Sequence, residues 1–247
     1  MAEIALINID KCEVVDPSET GHEFKVKEVI ANRMTADILW LFTVPADNQP
    51  APAPSPTPKR GSGRRGFGWE APAPVPVGHW AGDRVLIVDE YVGSAAKKFP
   101  ADLLAKFPDA EPREDALDYA LEHLKHVGLA KYEPAAPDAL FPADRIWVVR
   151  NLTKHWYARS DALFEPKYCR GPTVTNGLGL SELIWAKIGG AMGVPADSVG
   201  HRFDIQTLEV VENPEDGKEW VDKSKHAKRI LTQFDESDDV QDLRGES

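Results

Sequence analysis

Cysteine is nearly absent: Cys12 and Cys169 are the only two in 247 residues. That excludes a disulfide framework and leaves two reduced thiols in a packed core as the expected state. Positive charge is also in deficit, with 29 Lys and Arg against 40 Asp and Glu and a formal net charge of −11. A surface that binds nucleic acid all over is thereby excluded, because phosphate contact needs a positive field; a local basic patch is not. Long apolar runs are missing too. Nothing approaches the roughly 18 consecutive apolar residues of a membrane span, and the start lacks the basic region and apolar run of a signal peptide. These absences predict a soluble intracellular protein, cytoplasmic or nuclear, without membrane contact. The length suits one large domain or two small ones, with a core that needs no staples.

What is present is mostly strand signal. Residues 4–9 and 12–15 are short β-branched runs around Asp10-Lys11 and predict a hairpin with a two-residue connection. Ile38 to Val44 is a near-continuous apolar run and predicts a strand buried on both faces. Nine prolines then fall between Pro45 and Pro76. Alternating proline removes amide donors and favours an extended chain, so residues 46–76 read as a disordered insertion. A strand follows at Val85–Val88. The clearest helix signal is Arg113 to Val127, with Leu117, Ala120, Leu121, Leu124 and Val127 on one stripe. A second hairpin is expected over 146–159, a strand over Phe203–Val211, a helix over 217–234, and an acidic, solvated tail from Asp235.

The two halves echo one another. Asn8-Ile9-Asp10-Lys11 corresponds to Asn151-Leu152-Thr153-Lys154, and Gly82-Asp83-Arg84 to Gly200-His201-Arg202, each leading into a strand. The spacing from Asn8 to Gly82 exceeds that from Asn151 to Gly200 by 25 residues, close to the length of the Pro-rich insertion. The expected fold is therefore α+β and β-rich, two pseudo-repeated β units packed together with a few helices. The first unit spans 1–143 and the second 144–234, with the 113–127 helix between the β parts and a tail at 235–247. Each half has too few strands for a core of its own.

The run Trp147-Val-Val-Arg-Asn-Leu-Thr-Lys-His-Trp-Tyr157-Ala-Arg-Ser-Asp-Ala162, then Gly177-Leu-Gly179 and Gly200-His-Arg-Phe-Asp-Ile-Gln-Thr207, resembles a family of uncharacterised fungal proteins. Their pattern is WVLRNLTxxxYVRxDAL, GLG and WAGHRFDIxT, and Trp80-Ala-Gly-Asp-Arg84 echoes its closing part. The sequence departs at Trp156, where a charged residue is usual, and at Ser198-Val199, where Trp-Ala is usual. The resemblance bears on fold and compartment and implies no mechanism.

No catalytic, metal or cofactor signature stands out. His123 and His126 share the spacing of some metal ligands, but no third ligand accompanies them at a diagnostic distance. His79, Asp83, Arg84, His201, Arg202 and Asp204 gather around the two Gly-x-Arg signatures. Converging across a pseudo-two-fold, they could bind an anion or do acid–base work; as structural ion pairs they would fix the strand starts. Lys59, Arg60, Arg64 and Arg65, interleaved with Phe67 and Trp69, have the composition of a segment that contacts nucleic acid or an acidic partner. The leading expectation is a non-catalytic binding or scaffold protein with a protein partner. The alternatives are an enzyme with its site between the repeats, and nucleic-acid association through the insertion.

Overall fold

Asn8 ends the first strand of the chain, and Asn151 ends the strand that mirrors it. In the computed structural model, which describes residues 4–16, 40–44, 75–89, 93–112, 115–128, 144–163, 183–184 and 198–235, both asparagines are fully buried. β1 (Ile4–Asn8) and β2 (Glu13–Val15) pair antiparallel with Asn8 opposite Glu13. β3 (Val85–Asp89) lies on the other side of β1, and the two-residue β4 (Lys125–His126) runs parallel to β2. The second sheet repeats this layout. β5 (Trp147–Asn151) pairs with β6 (Trp156–Arg159), with Asn151 opposite Trp156; β7 (Phe203–Thr207) flanks β5, and β8 (Val221–Asp222) runs parallel to β6. The two strand orders, β3-β1-β2-β4 and β7-β5-β6-β8, are the same. The β-rich α+β fold of two similar units is thus present.

Helices fill in differently around each sheet. The first unit carries α1 (Ala95–Lys98), α2 (Ala101–Leu104) and α3 (Ala116–His123), which packs on β1 and β3. The second has α4 (Glu209–Glu212) and α5 (Ser224–Asp235), which packs on β6. No described helix is long and apolar enough to cross a membrane. One continuous core joins both sheets, from Ile4, Leu6 and Ile7 to Trp147, Val149, Phe203 and Ile205, with Trp40, Trp80 and Trp147 essentially buried. A smaller cluster of Val148, Leu208 and Val211, with Tyr157 and Trp220 against it, covers the opposite face of the second sheet.

Several local expectations change. The first hairpin connection has four residues rather than two, and the second also has four. Asn8 Oδ1 accepts from Lys11 N at 2.9 Å, and Asn151 Oδ1 accepts from Lys154 N at 2.9 Å. Each turn then closes through a left-handed residue, Cys12 at φ 56° and His155 at φ 53°. Without Asn-Gly or Asp-Gly for a two-residue turn, the asparagine side chain templates a wider one. Residues 40–42 are helical rather than extended, and only Thr43 bridges a strand, parallel to Ile205. The predicted 113–127 helix is capped by Asp115, whose Oδ1 accepts from Leu117 N at 2.9 Å, and stops at His123. Beyond it Lys125 N donates to Cys12 O and Val127 N to Val14 O, so sheet pairing takes over the apolar stripe. The strand expected to Val211 ends at Thr207, where helix α4 follows, and α5 starts only at Ser224, after β8 has paired with β6. Cys12 is a half-buried free thiol at a turn rather than a core residue. Cys169, the 46–74 part of the insertion and the tail from 236 lie outside the described residues.

Candidate functional site

The two sheets meet where the Gly-x-Arg signatures lead into β3 and β7. Gly82 N donates to Phe203 O and Gly200 N to Val85 O, both at 2.8 Å. Between them Arg84 and Arg202 form an antiparallel bridge. A residue paired with its own counterpart lies on the pseudo-two-fold axis, so this junction is where the two repeated units face one another. Both glycines have positive φ, 80° and 71°, which an L side chain at either position would resist. Each turn also reaches across: Leu152 Cδ1 lies 3.7 Å from where a Cβ on Gly82 would stand, and Ile9 Cδ1 3.9 Å from that of Gly200.

The backbone bonding around the axis is matched pair for pair. Ile9 N donates to Arg84 O and Leu152 N to Arg202 O, each at 2.9 Å. Arg84 N donates to Asp10 Oδ2 at 3.0 Å, and Arg202 N to Thr153 Oγ1 at 2.9 Å. The side chains then depart from symmetry. Arg84 Nε donates to Asp10 Oδ1 at 2.8 Å and its Nη2 to Asp102 Oδ2 at 2.5 Å. Thr153 carries no charge, so Arg202 crosses the axis. Its Nη1 donates to Asp10 Oδ2 at 2.6 Å and to Gly82 O at 2.8 Å. One carboxylate therefore serves both arginines. Burial alone would raise the Asp10 pKa, but the bonds from Arg84 and the charge of Arg202 outweigh it and hold Asp10 below the ordinary 3.8. The bonds from Asp102 and Asp10 in turn push the Arg84 pKa up.

The remaining candidates sit in separate groups. Asp83 Oδ2 accepts from Asn8 Nδ2 at 2.8 Å and from Lys11 Nζ. His79 Nε2 lies 2.8 Å from Glu13 Oε2, which also accepts from the buried Trp80 indole at 2.9 Å, while Lys125 Nζ reaches Glu13 Oε1 at 3.2 Å. Burial alone would raise the Glu13 pKa; the indole, ammonium and imidazole contacts hold it below its ordinary value instead. His201 Nδ1 is 3.0 Å from Asn151 Nδ2. Asp204 lies apart, between the core residues Phe203 and Ile205, and points to the other face of the sheet. There Arg150 donates Nε at 2.7 Å and Nη2 at 2.5 Å, with Gln206 adding a third bond. The Arg150 guanidinium stands 4.9 Å over Trp220, against which His155 stacks at 4.6 Å.

Of the six predicted residues, then, the structure brings Arg84 and Arg202 together on Asp10. Asp83, His79 and His201 each hold one hairpin, and Asp204 is removed from the junction. Lys59, Arg60, Arg64 and Arg65 lie outside the described residues. The two histidines do not share a helical face: His123 ends α3 against Tyr119, and His126 stands on β4 with Nε2 2.8 Å from Leu121 O. Among the described residues no group of three His, Cys, Asp or Glu is placed to hold a metal. Asp10, Asn8, Asn151 and Glu13 organise the junction and were missed as site residues. The signal that could have found them is the repeated Asn-x-x-Lys at 8–11 and 151–154. Compared with protein families, curated proteins and solved structures, the chain matches none.

Proposed function

We propose that this chain is a non-catalytic binding or scaffold protein that works in the cytoplasm or nucleus. One observation carries the reading: the polar side chains at the pseudo-two-fold junction are turned on one another. Asp10 is shared by two arginines, Asp83 is held by Asn8 and Lys11, and His79 is held by Glu13. Acid–base work needs a group that exchanges a proton with a reacting atom, whereas Asp10 and Glu13 are kept ionised and arginine stays charged. Such an arrangement fixes two hairpins in one geometry and leaves recognition to the outer surfaces.

The test uses the full chain with Arg202→Lys and His201→Gln variants. Each is assayed against ester, phosphate-ester and glycoside substrates while its unfolding midpoint is followed. Recovery of a stoichiometric macromolecular partner with no turnover supports the reading. A turnover that disappears in both variants while both remain folded overturns it.

A further inference from the structure

The most conspicuous surface left over is the outer face of α5. Its inner face, Ser224, Ala227, Ile230 and Leu231, is buried, whereas Lys223, Lys225, His226, Lys228 and Arg229 are exposed. Positions 225, 228 and 229 fall at i, i+3 and i+4, one stripe of a helix. Among the described residues Lys223, Lys225, Lys228 and Arg229 make no ion pair; Arg229 Nη2 lies 3.0 Å from His226 Nδ1. The nearby Asp222 is engaged with Ser224, whose N and Oγ are 2.7 and 2.5 Å from its Oδ1.

These charges do not serve the helix that bears them. A helix favours anions in its first turn and cations in its last. α5 has no acidic residue in its first turn and no basic one in its last. In a chain of net charge −11, a stripe of cations placed against the macrodipole needs another account. The sequence supplies one directly after the helix: residues 236–247 carry Glu236, Asp238, Asp239, Asp242 and Glu246 against a single Arg244.

We infer that the outer face of α5 is a docking surface for acidic chain, and that segment 236–247 of this same chain folds back to occupy it. Twelve extended residues span up to about 40 Å, whereas a helix as long as α5 spans about 18 Å, so the segment reaches the whole stripe. Tethering places it at an effective concentration on the order of millimolar, enough to fill a weak electrostatic site until a stronger acidic partner displaces it. The inference rests on the binding reading above and names its partner class.

The experiment is zero-length carbodiimide crosslinking of the full chain, read by mass spectrometry. Asp239 and Asp242 are expected to link to Lys225 and Lys228, and the links fade in 1 M salt, where the Debye length is about 3 Å. Links spread evenly over Lys97, Lys98 and Lys218, or none, overturn the inference. In a second arm a labelled polyglutamate binds the Asp238→Asn/Asp239→Asn/Asp242→Asn variant about tenfold more tightly than the wild type. Equal binding by both overturns self-occupancy while leaving the binding reading intact. Binding of single-stranded DNA in preference to polyglutamate assigns the face to nucleic acid, and also overturns it.

Discussion

At the start of β3, Asp83 faces Asn8 and draws in Lys11; at the start of β7, His201 takes that place against Asn151, and Lys154 stays exposed. The same exchange recurs one step away. Glu13 and Trp80 form a buried indole–carboxylate pair in the first unit. Their counterparts in the second are Trp156 and Ser198, so the indole comes from the strand rather than from the turn. Trp80 meets Phe42 edge-on at 6.4 Å, and Trp156 meets Phe203 edge-on at 6.2 Å. The backbone frame is thus held constant while, at these hairpin contacts, the first unit uses charged pairs and the second uses Asn151–His201 and the Trp156–Phe203 ring contact.

This comparison can be broken by mutation. Trp80→Ala should destabilise by about 3–5 kcal/mol, the range for deleting a buried large aromatic, and should also strip Glu13 of a donor. Trp156→Ala, at a half-buried site, should cost clearly less. Urea unfolding midpoints check both, and equal losses would show that the first unit is not the tighter one. Asp10→Ala comes next, at about 1.5–3 kcal/mol for bonds to charged groups, whereas Thr153→Ala removes one neutral bond and should cost about 1 kcal/mol.

The same aspartate gives a pH dependence with a fixed sign. Its folded-state pKa lies below the 3.8 of a free aspartate. Its contribution is therefore complete above that value and lost as pH falls through the folded pKa. Stability curves of wild type and Asp10→Ala should differ at neutral pH and converge below about pH 3.8. A constant difference down to pH 2 would contradict the assignment.

Two smaller effects sharpen the comparison. Trp156→Glu with Ser198→Trp rebuilds the first unit's pair in the second; each change alone should destabilise, and together they should recover about 2 kcal/mol of coupling. Additive losses in a double-mutant cycle would sink the idea of an exchanged pair. Gly82→Ala and Gly200→Ala should each cost about 1 kcal/mol for the left-handed backbone. Their Cβ atoms meet side chains only at ordinary contact distance, so the two losses should agree.

Much of this frame was legible in the sequence. The Asn-x-x-Lys and Gly-x-Arg echoes placed both hairpins and the starts of β3 and β7, because identical backbone demands select the same residues twice. What resisted was every choice decided by distant pairing. Residues 40–42 carry β-branched and aromatic neighbours but coil into a helical turn, since Trp80 N and Gly78 N bond to Leu41 O and Trp40 O. Leu124 and Val127 fit a helical stripe and yet leave it, because β2 offers carbonyls at its open edge. The residues around the junction divide in a similar way. Arg84 and Arg202 were visible as a repeated motif, whereas Asp10 looked like an ordinary turn residue until the second arginine crossed the axis to reach it.

The way the sheets finish has a consequence for how the protein behaves in a crowd of its own copies. Open strand edges invite association between molecules. Here the outer edge of β7 receives Thr43 and Val44, with Val44 N bonded to Ile205 O at 2.9 Å, and the start of β3 is taken by His201 O. At the far sides β4 and β8 are two residues each, too short to template a ladder. Among the described residues the chain thus covers part of the β7 edge and the start of β3 with its own segments, an arrangement that leaves less open edge for a second copy to pair with.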